Sequence, residues 1–168
     1  MLGVCLLFVG IVLINNGYCT LAKIDPKSTA IMNLFVGGLS IFINAVSLVQ
    51  GNYYAAGTGL LFGFTYLFVA LNNLLHLDTK PFAVFSTSVS VNAIIFGIVE
   101  GVTGSEALGI TPDIRWGLIW WAWAILWGTA FVTDILKLNL KKFVPILQIA
   151  EGILTAWIPG VMILLGVW

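Results

Sequence analysis

Trp116, Trp120, Trp123 and Trp127 recur at intervals of four, three and four residues. On a helix turning about 100° per residue, that spacing stacks the four indoles into one narrow stripe. A column of flat, polarizable rings with N–H edges is suited to receiving a flat, neutral molecule. Two blander readings compete with that one. An interfacial aromatic belt would cluster near helix ends, as Trp157 and Trp168 do, whereas this stripe runs about 16 Å along its axis at 1.5 Å per residue. Core packing against neighbouring helices is the stronger rival, and spacing alone leaves packing and lumen lining both open. Trp121 lies off the stripe.

Glu151 is the second residue of interest. It stands about eight residues inside the last apolar stretch, with Gln148 and Thr155 on its face. A carboxyl at that depth in a bilayer is costly and defaults to a functional hypothesis. Its structural reading is a carboxyl satisfied by backbone or amide donors. His76 is the one histidine, with no second His or acidic cluster at ligand spacing, so neither a metal site nor a cofactor is expected. No Gly-rich phosphate loop, nucleophile motif or HExxH is present, and enzyme chemistry has no footing.

The elements that must position these residues follow from composition. Of 168 residues, 60% are hydrophobic and 8% charged, against about 25% charged in an ordinary soluble domain. Seven Lys and Arg balance seven Asp and Glu, so no basic excess exists to meet nucleic acid. The chain reads as an integral membrane protein. A membrane-spanning helix needs about 20 apolar residues, and six such stretches occur, at approximately 2–20, 29–49, 55–75, 82–101, 116–136 and 143–167. Turn chemistry separates them: Asp25-Pro26, Gly51-Asn52, Lys80-Pro81, Thr111-Pro112 and Lys141-Lys142. Backbone groups in lipid must be satisfied within the segment, so continuous apolar runs become helices. The expected fold is an all-α membrane protein, a six-transmembrane-helix bundle forming a single domain over residues 1–168.

Lys23, Lys27, Lys80, Lys137, Lys141 and Lys142 all follow odd-numbered spans, and Arg115 alone lies on the other side. The positive-inside bias places the lysine loops in the cytoplasm and both termini outside. The first stretch has no preceding Lys or Arg and no small-x-small cleavage site, and is read as a retained span. Cys5 and Cys19 both lie in it, too far apart on one helix for a bridge.

Other spans carry matching faces. Leu2, Leu6, Val9, Leu13 and Asn16 share one face of the first, while Gly3, Gly10 and Gly17 mark another at the interval that lets helix backbones approach closely. Asn33, Gly37, Ser40, Asn44 and Ser47 share a face of the second. Phe64 and Phe68 stand one turn apart on the third, with Tyr66 elsewhere. Were the Trp stripe, the Phe pair and the Val9/Leu13 face to converge, the passage would be narrow and apolar. Ions would lose hydration there with nothing to replace it, whereas a small planar neutral solute would lose far less. No ion-coupling apparatus accompanies it. The physics favours passive passage.

The stretches MLGVCLLFVGIVLINNG, KIDPKSTAIMNLFVGGLSI, GTGLLFGFTYLFVALN, IWWAWAILWGTAF and EGILTAWIP closely resemble the UreI/AmiS family of bacterial urea and short-chain amide channels, over most of the chain. The resemblance implies a homo-oligomer, a hexameric ring with one pore per protomer, in the bacterial cytoplasmic membrane among its lipids. Urea supplying a cytoplasmic urease, or alternatively a short-chain aliphatic amide serving an amidase, would pass down its gradient. It assigns the lining to Val9, Leu13, Phe64, Phe68, Trp120, Trp123, Leu126, Trp127 and Glu151. Phe68 falls where acid-gated members carry Tyr. Those members also have a long, histidine-bearing outer loop between spans two and three. Here that link is little more than Gln50-Gly51-Asn52-Tyr53, without histidine, so gating by outer-loop histidines is not expected.

Overall fold

The computed structural model describes residues 1–168. Six helices are long and apolar enough to cross a membrane: α1 Leu2–Leu21, α2 Pro26–Val49, α3 Tyr53–Leu75, α4 Lys80–Thr103, α5 Ile114–Ile135 and α6 Phe143–Leu164. The middle four start earlier than the apolar stretches do, at Pro26, Tyr53, Lys80 and Ile114 rather than at Thr29, Ala55, Phe82 and Trp116. For α2 and α5 the reason is capping. Asp25 accepts from Lys27 N–H at 2.8 Å with Pro26 at the first helical position, where a missing N–H costs nothing. Asp113 accepts likewise from Arg115 N–H at 3.0 Å. Polar first turns are therefore helical although hydropathy passes over them.

Helix ends follow an alternating rule. Lys23, His76 and Lys137, just beyond α1, α3 and α5, adopt left-handed backbone with φ of 56°, 53° and 58°. The apolar residue after each returns its N–H to the last helical turn: Ile24 to Cys19 O, Leu77 to Asn72 O and Leu138 to Val132 O. These are Schellman-type ends. Beyond α2, α4 and α6 a positive-φ glycine stands instead, Gly51, Gly104 and Gly166, Gly104 with an extended ψ of −173°. Lys23 and Lys137 set an ammonium group near the partial negative charge of a helix C-terminus.

The chain forms two compact units. The first, Met1–Asp78 with Lys141–Trp168, holds α1, α2, α3 and α6. Its α1 and α6 meet along the glycine seam. A Cβ on Gly10 would strike the backbone of Trp157 and Gly152, and one on Gly17 would strike the carbonyl of Pro145. Gly10 sits against a π-helical turn, Gly152–Trp157, in the middle of α6. On α2 the small polar face, Asn33, Gly37, Ser40, Asn44 and Ser47, is buried throughout, with Gly37 against Leu67 and Asn44 against Gly59 of α3.

The second unit, Thr79–Leu140, holds α4 and α5. They cross at backbone contact, where a Cβ on Gly101 would meet Gly117 Cα. Ser90 Oγ donates to Ala124 O at 2.7 Å, and Trp121 lies over Gly97, its Nε1–H donating to Ile94 O at 3.4 Å. The segment between them is a tight loop closed by reciprocal backbone bonds between Ser105 and Ile110, both 2.9 Å.

Candidate pore lining

In the second unit the tryptophan stripe is a ladder of edge-to-face rings. Trp120 and Trp123 have ring centres 5.1 Å apart with planes at 85°, and Trp123 and Trp127 are 6.5 Å apart at 71°. Phe96 of α4 extends the ladder, 5.3 Å from Trp120 at 60°. All three indoles are buried, Trp123 with 3% exposure. Each such pair is worth about 0.5–1.5 kcal/mol beyond area burial, so the rings hold one another in fixed orientations. Trp116 and Leu126 are half-buried beside them, and Leu126 O accepts from Thr129 Oγ1 at 2.6 Å.

In the first unit Val9 and Leu13 are buried on α1. Leu13 packs against Gly152, the residue following Glu151, so these two assigned positions are close neighbours. Glu151 is 5% exposed. Its Oε2 is buried without a hydrogen-bond partner, while its main-chain oxygen accepts from Thr155 Oγ1 at 2.6 Å. The helix passes into its π turn at the next residue, a distortion frequent at functional sites. Phe64 of α3 is 50% exposed and Phe68 is half-buried. Between them Tyr66 is buried and lies within electrostatic reach of Glu151.

Two of these residues escape sequence reasoning. Phe96 sits in a helix whose polar and apolar residues are mixed round the axis, with Asn92 and Glu100 one turn either side of it, which leaves no stripe to mark it. Tyr66 lies off the Phe64/Phe68 face, and only packing brings it towards an acid far along the chain. A groove of about 400 Å³ on the second unit, lined by Val84, Thr87, Ser88, Val91, Asn92 and Phe131, includes none of the assigned residues.

Taken unit by unit, the second offers indole edges as hydrogen donors, and the first offers aliphatic and aromatic surface with one carboxyl. His, Cys, Asp and Glu nowhere cluster in a way that would hold a metal. Side chains of this chemistry suit contact with a small, uncharged, planar molecule. A family model described as the AmiS/UreI family transporter matches residues 1–167. The chain belongs to the AmiS/UreI family.

Relatives in this AmiS/UreI family match along the whole chain. The "Acid-activated urea channel" of Helicobacter pylori strain 26695 is 46% identical over 194 residues, covering 100% of both chains. The "Putative amidate substrates transporter protein" of Mycolicibacterium smegmatis is 35% identical over 174 residues, covering 99% of this chain and 78% of that one. Two solved structures of the H. pylori urea channel have this fold. A cryo-EM structure in the closed state gives a TM-score of 0.91 at 48% identity, with 100% of both chains covered. A crystal structure gives 0.87 at 49%, covering 100% of this chain and 99% of that one. This family member is a multi-pass membrane transporter with an all-α, six-helix fold, not an enzyme.

Proposed function

We propose that this protein is a passive urea channel of the bacterial cytoplasmic membrane. The observation that carries the reading is near-half identity, end to end, with a channel named for urea, in a chain that carries a buried ladder of tryptophans. Urea is flat, neutral and small enough to lie against ring faces, and its carbonyl and amide groups can exchange water for indole N–H donors and the Glu151 carboxyl. An ion would find too little to replace its hydration shell.

We assign the lining to Val9, Leu13, Phe64, Phe68, Trp120, Trp123, Leu126, Trp127 and Glu151. The termini lie outside, because the six lysines follow odd-numbered helices. The working assembly is a hexameric ring with one pathway per protomer, and a cytoplasmic urease consumes what enters. Each chain carries its own complete aromatic ladder, which supports a pathway within each protomer. The H. pylori alignment is 194 residues long against 168 in this chain, and the α2–α3 link here is only Gln50–Asn52. With no histidine outside the α3 end, the channel conducts without an outer-loop histidine gate.

A second reading, a channel for short-chain aliphatic amides, is favoured by the relative named for amidate substrates. Stopped-flow flux of urea, acetamide and thiourea into proteoliposomes separates the two. Urea is expected to be fastest. Acetamide clearly exceeding urea would transfer the assignment to amides, and background flux for all three would reject both.

A further inference from the structure

Asn16 of α1 and Asn33 of α2 form a closed amide pair inside the first unit. Asn16 Nδ2 donates to Asn33 Oδ1 at 3.0 Å, and Asn33 Nδ2 donates back to Asn16 Oδ1 at 2.7 Å. The Asn33 amide nitrogen also donates to Thr29 O, one turn earlier, at 2.9 Å. Asn33 therefore has both its donors and its acceptor engaged, and it is fully buried, with Asn16 nearly so.

A reciprocal amide pair constrains more than distance. Both bonds form only when the two planar groups lie antiparallel and nearly coplanar, so axial position and rotation are fixed together. Displacing α1 by one residue would swing Asn16 about 100° around the axis. In hydrocarbon no water stands ready to accept the orphaned groups. Elsewhere α1 is held by glycines against the α6 backbone, where turning would drive a Cβ into Trp157 or Gly152. The amide pair adds a second, directional restraint, to α2. Leu13 lies one turn from Asn16 on the same face and Val9 two turns away, so whatever fixes Asn16 fixes the angle at which both side chains are presented.

We infer that the Asn16–Asn33 pair is a positioning device that sets the rotation of α1 and so the solute discrimination exerted at Leu13. The inference rests on the proposed lining role of Leu13.

The test is the urea-to-thiourea flux ratio in proteoliposomes, measured with a melting curve of the purified protein. In Asn16→Leu/Asn33→Leu, both amides are exchanged for hydrocarbon of the same branched skeleton, which leaves no unsatisfied polar group. Melting close to wild type with a ratio changed by about threefold or more is the expected result. A wild-type ratio in that variant would reduce the pair to a packing contact and overturn the inference. Should the double variant fail to assemble, Asn16→Ala and Asn33→Ala decide: the ratio must move in both, in the same direction. A Leu13→Ala arm isolates the underlying reading. A shift in Leu13→Ala without one in the Asn variants refutes positioning alone, whereas no shift in Leu13→Ala, or no urea flux in wild type, refutes the lining itself.

Discussion

The indole of Trp123 stands almost perpendicular to that of Trp120, with ring centres 5.1 Å apart and planes at 85°. Trp127 on one side and Phe96 on the other continue the arrangement. Edge-to-face contact satisfies the opposed charge of ring faces and ring edges, and it locks each indole through its neighbours. If the proposed lining holds, such a wall would discriminate by shape, because rings that cannot swivel cannot yield to a bulkier solute.

Removing one rung is expected to loosen that discrimination. Trp123→Ala should raise thiourea and bulky-amide flux relative to urea, with a stability loss of about 3–5 kcal/mol from the lost buried ring. Relative fluxes in proteoliposomes check the first effect and chemical denaturation in detergent the second. A stability loss with unchanged relative fluxes would make the ladder packing only.

The glycine seam gives a prediction of opposite signs at two superficially similar positions. A Cβ at Gly10 meets backbone atoms of α6, which cannot rotate away, whereas one at Gly38 meets nothing within 4 Å. Gly10→Ala is expected to cost about 1–3 kcal/mol through overpacking. Gly38→Ala is expected to be neutral or to stabilise by up to about 1 kcal/mol, since it restricts only the unfolded chain. Thermal unfolding of both variants tests the pair together.

Lys23, His76 and Lys137 occupy left-handed backbone without being glycine. Substitution of each by Gly removes a steric penalty of about 1 kcal/mol, so Lys23→Gly and Lys137→Gly should melt higher despite losing a charge at a helix C-terminus. The same changes weaken the positive-inside signal, and protease accessibility of tagged termini should reveal a minor inverted population in the double variant.

These ends also define what a single sequence discloses. The helices were legible because each is a long apolar run, and α1, α2 and α5 advertised their faces through Gly3/Gly10/Gly17, Asn33 to Ser47 and the four tryptophans. No strict internal repeat is visible in the residues, yet the alternation of basic and glycine ends after successive helices is regular. It is hidden because a left-handed cap constrains backbone angle more than residue type, and Lys, His and Gly all satisfy it. Tyr66 and Phe96 stayed hidden for another reason: their partners come from distant helices. Asn16 shares a face with Leu13 by spacing, but its closure with Asn33 depends on the pairing of α1 with α2, which periodicity does not encode.

The pH dependence should be flat. The Arg115 guanidinium, hydrogen-bonded to Asp113, holds that carboxyl below the ordinary carboxylate range. A lowered value means its cap on α5 is complete at neutral pH and is lost only as pH falls through that lowered value. Between about pH 5 and 7.5, where unperturbed histidine titrates, Asp113 stays ionised and no outer histidine changes charge. Urea permeability is expected to vary less than about twofold over that window. A several-fold rise on external acidification would require a gate elsewhere.

The most direct test of the account is stopped-flow urea entry into proteoliposomes of the purified protein, with and without an imposed pH gradient. Entry well above that of protein-free vesicles, unchanged by the gradient, faster than thiourea entry and stopping at equal concentrations inside and out, is the expected result. Entry at the protein-free rate, or accumulation of urea driven by the gradient, would contradict a passive channel walled by aromatic rings.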